Sequence, residues 1–340
     1  MLTIVALNMG TRDAVFEPVR AVDPDRIQIV HAEYRTSWAE VSARRRKEAA
    51  AEPEDVADTL HEALARADVL FAFVVPRRLP ALAPRLRWLA TPATGIDHLR
   101  GCQVLESTIT VTTVGGLFGP IIAEHVLAAM LYFAKRLPLF AAQQGERRWQ
   151  TARLHALAGR TVGIVGVGSI GSAVGRLAQA FGMHVLGIGR SDPAGRQVAG
   201  IDTLLPRSAL TELLGTADYV VLAVADTPET LNLIGARELA TMKREAVLIN
   251  VARGTVIDEG ALAAALESER IAGAALDVFA REPLPTESRL WRLPNVLVTP
   301  HVATNVPEYL ALAAADFADN VRRFLAGEPL RNQFDRARGY

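Results

Sequence analysis

The chain has a single cysteine, Cys102, in 340 residues. One thiol excludes an internal disulfide and a cysteine-based zinc centre, and fits a reducing compartment. Its simplest use is as a small buried apolar side chain. Charge of one sign is not in excess either, since 37 Lys and Arg stand against 37 Asp and Glu. Without a basic surplus or a polybasic block, neither nucleic acid nor an anionic membrane is an expected partner. Long apolar runs are also missing. The most apolar long segment, 121–134, is interrupted by Glu124 and His125 and is too short for a bilayer. The opening Met1-Leu2-Thr3-Ile4-Val5-Ala6-Leu7 lacks the basic start of a signal peptide and reads as a strand. No solenoid-spaced repeat, low-complexity tract or long linker is present. The expectation is a cytoplasmic protein without a metal centre.

What is there is apolar and regular. Half the residues are hydrophobic, and 340 residues suit two cores better than one. Short β-branched runs alternate with helical patterns, which predicts parallel sheets with crossover helices. Strands are expected at 3–7, 27–31, 69–73 and 88–90, with helices at 37–50 and 53–65. A second series is more even. Strands at 161–165, 184–188, 219–224, 246–250 and 274–276 alternate with helices at 170–181, 208–214, 236–242 and 260–266, the pattern of a doubly wound sheet. Helices at 121–133 and 306–324 flank it. The last should return the chain to the first domain, making a cleft between domains the natural ligand site. The charge cluster Arg44-Arg45-Arg46-Lys47 reads as a solvated helix face, and Arg77-Arg78 as a solvated pair.

The strand at 161–165 runs into Gly166-Val167-Gly168-Ser169-Ile170-Gly171. Gly166 permits a tight turn, Gly168 lets the backbone approach a pyrophosphate, and Gly171 lets helix pack on strand. The helix N-terminus at Ser169 and Ile170 then offers N–H groups and a positive dipole end to the phosphates. The next strand ends in Gly187-Ile188-Gly189-Arg190-Ser191-Asp192. Gly189 stands where an NAD enzyme places a carboxylate for the ribose 2′-hydroxyl, whereas Arg190 and Ser191 suit a 2′-phosphate. The pattern favours NADP(H) over NAD(H), with Asp192 as the competing detail.

Three polar residues follow at strand ends: Arg253 in Asn250-Val251-Ala252-Arg253-Gly254, Glu282 in Leu276-Asp277-Val278-Phe279-Ala280-Arg281-Glu282-Pro283-Leu284, and His301 in Thr299-Pro300-His301. These segments, their order and the trailing Ala180-Phe181-Gly182-Met183 resemble the D-isomer-specific 2-hydroxyacid dehydrogenase family over nearly the whole chain. The resemblance implies a Rossmann cofactor domain, 116–304, inserted into a flavodoxin-like substrate domain, 1–115 with 305–340. It implies that Arg253, Glu282 and His301 are catalytic, and that Val251, Ala252 and Asp277 contact the cofactor. Thr94 and Gly95, in Thr91-Pro92-Ala93-Thr94-Gly95-Ile96-Asp97-His98, would give backbone N–H groups to a substrate carboxylate; Asp97 and His98 read as bracing that loop. Gly119 to His125 and Trp149 also match the family, while Ala225-Asp226-Thr227-Pro228 departs from it.

The chemistry suits these residue types. Arg253 offers a permanent planar fork for carboxylate and ketone oxygens, and His301 can exchange a proton with the alkoxide. Glu282 beside the imidazole would orient it and favour its charged form. The expected partner is a small 2-keto or 2-hydroxy acid such as glyoxylate or hydroxypyruvate, and the expected assembly a homodimer. Two other readings stay open: a non-catalytic dinucleotide-sensing interaction protein on the same scaffold, and a dehydrogenase of another oxyanion such as phosphite.

Overall fold

The computed structural model describes residues 1–8, 13–36, 38–45, 57–190, 194–336 and 339. The chain divides into two compact units, 1–117 with 305–340, and 118–304.

The first unit has five parallel strands: β1 (Leu2–Leu7), β2 (Ile27–Ala32), β3 (Val69–Phe71), β4 (Trp88–Ala90) and β5 (Thr110–Thr112), in the order β2-β1-β3-β4-β5. That is the flavodoxin-like order. The helix Tyr309–Ala326 packs against this unit, with Phe317 ring centroids 4.8 Å from Phe71 and 5.0 Å from Trp88. Beyond it, Phe334 donates its N–H to the Val111 carbonyl at 2.8 Å.

The second unit has seven parallel strands: β6 (Thr161–Val165), β7 (His184–Ile188), β8 (Thr203–Leu205), β9 (Tyr219–Leu222), β10 (Val247–Asn250), β11 (Gly273–Leu276) and β12 (Val296–Val298). Their order is β12-β11-β10-β9-β6-β7-β8. The order reverses between β6 and β9, which is the switch point where doubly wound sheets bind ligands. The inner strands are covered on both faces, so β9 and β10 are buried throughout and are apolar along their length up to the terminal Asn250 of β10.

Three strands, β5, β8 and β12, are absent from the sequence expectation. Each is an edge strand of three residues; β8 and β12 are half-exposed along much of their length, and β5 carries two threonines around one valine. An edge needs little continuous hydrophobicity, so the apolar-run signal is weakest there. The helix Leu137–Gly145 was also not expected.

Two readings of charge are corrected. Arg44 is not on a solvated face: it is 1% exposed, and its guanidinium donates to the Val75 carbonyl at 2.7 Å, the Tyr34 hydroxyl at 3.2 Å and Cys102 Sγ at 3.3 Å. Glu40 on the same helix pairs with it, so a charge read as surface is neutralised inside. Arg46, Lys47 and the expected helical residues 46–50 and 53–56 lie outside the described residues. Arg77 is half-buried 3.7 Å from Glu40, and only Arg78 of that pair is exposed. Cys102 is buried as expected.

Tyr309 ties its helix to the loop after β4, donating its hydroxyl to the Pro92 carbonyl at 2.6 Å. Burial pushes its phenol up to about 12. A raised value in the fold means that its contribution is complete below the ordinary value of about 10 and is lost as pH rises towards 12. Tyr309→Phe is expected to cost about 1 kcal/mol at neutral pH. It should also remove part of the alkaline loss of stability, as read by urea unfolding at neutral and strongly alkaline pH.

Candidate active site

At the carboxyl end of β6 the glycine turn has the geometry that its spacing implies. Gly166 has φ +107, and a Cβ there would run into the Ala223 carbonyl. A Cβ on Gly171 would overlap the Gly166 carbonyl oxygen, so the helix Ser169–Ala180 can sit this close only with glycine. At Gly168 a Cβ would meet nothing within 4 Å, and Gly168 and Ser169 are exposed. No side chain caps this helix and no acid stands in its first turn. An open, uncapped, 12-residue helix start fits a pyrophosphate. Ile170 is half-buried beside it.

At the end of β7, Gly189 has a packing reason of its own: a Cβ would lie 2.9 Å from Val167 Cγ2. Arg190 is exposed there, while Ser191 and Asp192 lie outside the described residues. A second cation is close by. Arg196 Nη1 would be 3.7 Å from that Cβ. Nothing in local spacing pointed to Arg196, because a turn brings it back to the strand end.

The end of β10 is held by Asn250, which is 1% exposed. Its Oδ1 accepts from the Ala252 N–H at 3.0 Å, and its Nδ2 donates to the Arg253 carbonyl at 3.0 Å. One buried amide thus sets the backbone that presents Arg253. The Arg253 side chain is half-buried and donates from Nη1 to the Ala252 carbonyl at 2.7 Å. Val251 and Ala252 are almost fully buried, leaving little side-chain surface for a ligand. Asp226, in the segment that departs from the family, accepts from the Thr255 hydroxyl at 3.1 Å and so latches the same turn.

His301 and Glu282 are in contact. His301 Nδ1 lies 2.9 Å from Glu282 Oε2, and Glu282 Oε1 accepts from the Phe279 N–H at 3.1 Å. His301 has φ +55, a left-handed conformation that costs a non-glycine residue energy and needs bracing. Asp277, 3% exposed, supplies the brace. Its carbonyl accepts from the His301 N–H at 2.8 Å, and its carboxylate accepts from the N–H groups of Val302 at 2.9 Å and Ala303 at 3.0 Å. The Thr299 hydroxyl donates to the same carboxylate at 2.7 Å. What the structure places around Asp277 is therefore the His301 loop, with His125 Nε2 3.9 Å from the carboxylate.

In the first unit, Thr94 is exposed and Gly95 half-buried, at the carboxyl end of β4. The loop is stiffened from below. Thr91 Oγ1 and His98 Nε2 share a hydrogen bond at 3.2 Å, and the His98 ring stacks on Phe73 with centroids 4.4 Å apart. His98 and Asp97 are buried, in keeping with a bracing role. Among the described residues no cluster of His, Cys, Asp and Glu could hold a metal ion, and no helix is long and apolar enough to cross a membrane.

Comparison with known proteins gives this geometry its context. The profile described as D-isomer specific 2-hydroxyacid dehydrogenase, NAD binding domain, matches residues 127–303. Over 315 residues the chain is 32% identical to the glycerate dehydrogenase of Methylorubrum extorquens, covering 88% of this chain and 90% of the relative. The chain belongs to the D-isomer-specific 2-hydroxyacid dehydrogenase family. It is also 37% identical over 256 residues to the glyoxylate reductase of Korarchaeum cryptofilum, covering 72% of this chain and 75% of that one. A solved D-isomer specific 2-hydroxyacid dehydrogenase from Xanthobacter autotrophicus Py2, in complex with NADPH and MES, matches with TM-score 0.80 at 30% identity, covering 100% of this chain and 99% of the other. Some relatives are longer: the chain spans 38% of the D-3-phosphoglycerate dehydrogenase of Synechocystis sp.. The protein is thus an NAD(P)-dependent D-2-hydroxyacid dehydrogenase. Its family acts on small 2-hydroxy and 2-keto acids.

Proposed function

We propose that the enzyme reduces a small 2-keto acid, of the size of glyoxylate or hydroxypyruvate, to the 2-hydroxy acid, of D configuration where the product is chiral, with NADPH as the preferred reductant. The observation that carries the reading is the His301–Glu282 pair at 2.9 Å, held by a braced left-handed loop at a strand end of the dinucleotide-type sheet. The Gly166–Gly171 turn would hold the pyrophosphate, and residues 118–304 form the dinucleotide domain. When bound, the nicotinamide supplies the hydride to the ketone carbon.

The side chains divide the remaining work. Glu282 occupies Nδ1 of His301 and fixes the ring, so proton delivery to the forming alkoxide falls to Nε2. Arg253 brings a permanent positive charge to the substrate carboxylate and carbonyl oxygen, stabilising charge as it develops. Thr94 and Gly95 are assigned as amide donors to the carboxylate, which suits the exposed Thr94 and its stiffened loop. Asp277 holds the His301 loop in shape, whichever further contact it makes with the cofactor.

Arg190, the exposed residue that follows Gly189, and Arg196, whose guanidinium lies near Gly189, together support NADPH, since two cations at this strand end favour a 2′-phosphate. Replacing either by Ala is expected to raise KM for NADPH about 10- to 100-fold, the worth of a charged hydrogen bond. KM for NADH should change little. Steady-state kinetics with NADPH and NADH over a panel of 2-keto acids, with phosphite oxidation in parallel, tests the assignment. Turnover confined to phosphite, absence of any turnover, or tighter use of NADH than of NADPH would each count against it.

A further inference from the structure

Glu259 is the first residue of the helix Glu259–Glu267, and the bland account of an acid there is a favourable charge at a helix start. That helix is already capped, because the Asp258 side chain accepts from the Ala261 N–H at 3.0 Å. The Glu259 side chain reaches elsewhere. Its Oε1 accepts from the backbone N–H of Ala280, at 2.5 Å and 21 residues along the chain.

The peptide it grips is a shared support. The preceding N–H, that of Phe279, donates to Glu282, whose other oxygen meets His301. Successive amides are thus divided between two glutamates. The turn that carries Arg253 rests on the same spot: a Cβ on Gly254 would overlap the Phe279 carbonyl group and the Ala280 nitrogen. Backbone therefore touches backbone there, with no side chain between to absorb a shift. Burial pushes the Glu259 carboxyl up, the Ala280 N–H pulls it back, and the nearby charge of Glu282 pushes it up further. The cluster has a cost that a simple helix-start acid would avoid.

We propose that Glu259 is a positioning residue of the reaction: by holding the Ala280 N–H it fixes the Phe279–Ala280 peptide, against which the Arg253 turn packs and which adjoins the Phe279 N–H that holds Glu282 beside His301. The inference rests on the catalytic reading of those three residues. Misplacing reacting groups by about 1 Å can cost about 100-fold in rate, so a support that aligns two of them affects kcat without touching substrate.

The test compares Glu259→Gln, Glu259→Asp and Glu259→Ala with wild type and His301→Asn, each checked for folding by thermal melting. Gln keeps an acceptor oxygen at the same reach, and is expected to stay within about threefold of wild-type kcat. Asp keeps the charge but is one methylene short, and Ala has no acceptor. Both are expected to lose about 10- to 100-fold in kcat, with NADPH Kd from fluorescence titration unchanged. A purely structural glutamate would lower the melting temperature and leave kcat per folded molecule alone, which overturns the proposal. So does a Gln variant as impaired as Ala, because charge and not the held N–H would then matter. If wild type itself reduces no keto acid, or His301→Asn matches it, the catalytic reading fails and takes this inference with it. If His301→Asn is inactive while Glu259→Asp and Glu259→Ala turn over like wild type, only the positioning role is lost.

Discussion

Replacing His301 by Asn is expected to lower kcat for keto-acid reduction by about 10²- to 10⁴-fold, the usual worth of a positioned general acid. Dinucleotide affinity should be retained. Asn is the informative choice because position 301 has φ +55, and Asn tolerates the left-handed region better than Ala. The variant keeps the loop conformation that Asp277 braces through the N–H groups of 301, 302 and 303. What it removes is the imidazole that Glu282 orients through Nδ1. His301→Ala removes the same group with more strain on the backbone. Equal loss in both variants, with unchanged melting of Asn, therefore separates chemistry from folding. Stopped-flow and steady-state rates with saturating NADPH provide the measurement, and wild-type turnover in either variant would remove His301 from the mechanism.

Arg253→Ala is expected to reduce kcat/KM by about 10²- to 10³-fold, comparable with the loss of a donor to a developing oxyanion. Both parameters should suffer, since the fork is assigned to the substrate carboxylate in the ground state and to the ketone oxygen as it gains charge. Arg253→Lys should recover only part of the loss, because an ammonium is a point charge and cannot present two parallel N–H groups. The backbone that aims Arg253 depends on Asn250 and Gly254, neither of which these variants alter. Kinetics over varied keto acid, with dinucleotide binding as the control, reads the outcome. A Lys variant as active as wild type would mean that simple charge suffices.

The parts of this molecule legible in the sequence share a physical trait: their signal is local. β6, β9 and β10 are almost wholly buried and spell mainly apolar runs, and the glycine turn announces itself because its glycines recur at a fixed spacing directly after one of them, Gly171 answering the Gly166 carbonyl five residues before it. The edge strands β5, β8 and β12 leave no such mark, because a half-covered strand needs no continuous apolar run. The same limit applies to charge. Arg44 looks like surface within Arg44-Arg45-Arg46-Lys47, and only tertiary contact with Val75, Tyr34 and Cys102 reveals it as interior. Around the candidate site, Arg253, Glu282 and His301 stood out through their resemblance to family motifs, not through spacing. Glu259 and Arg196 do not stand out, because each acts on a partner that chain order alone does not place beside it; Asn250 does not either, because its partners two and three residues on are backbone groups that carry no residue signature.

Product stereochemistry tests the central claim most directly. Hydroxypyruvate incubated with the purified enzyme and NADPH is expected to give D-glycerate with stoichiometric NADPH oxidation. Formation of L-glycerate, or no glycerate under conditions in which NADPH is bound, would contradict the account.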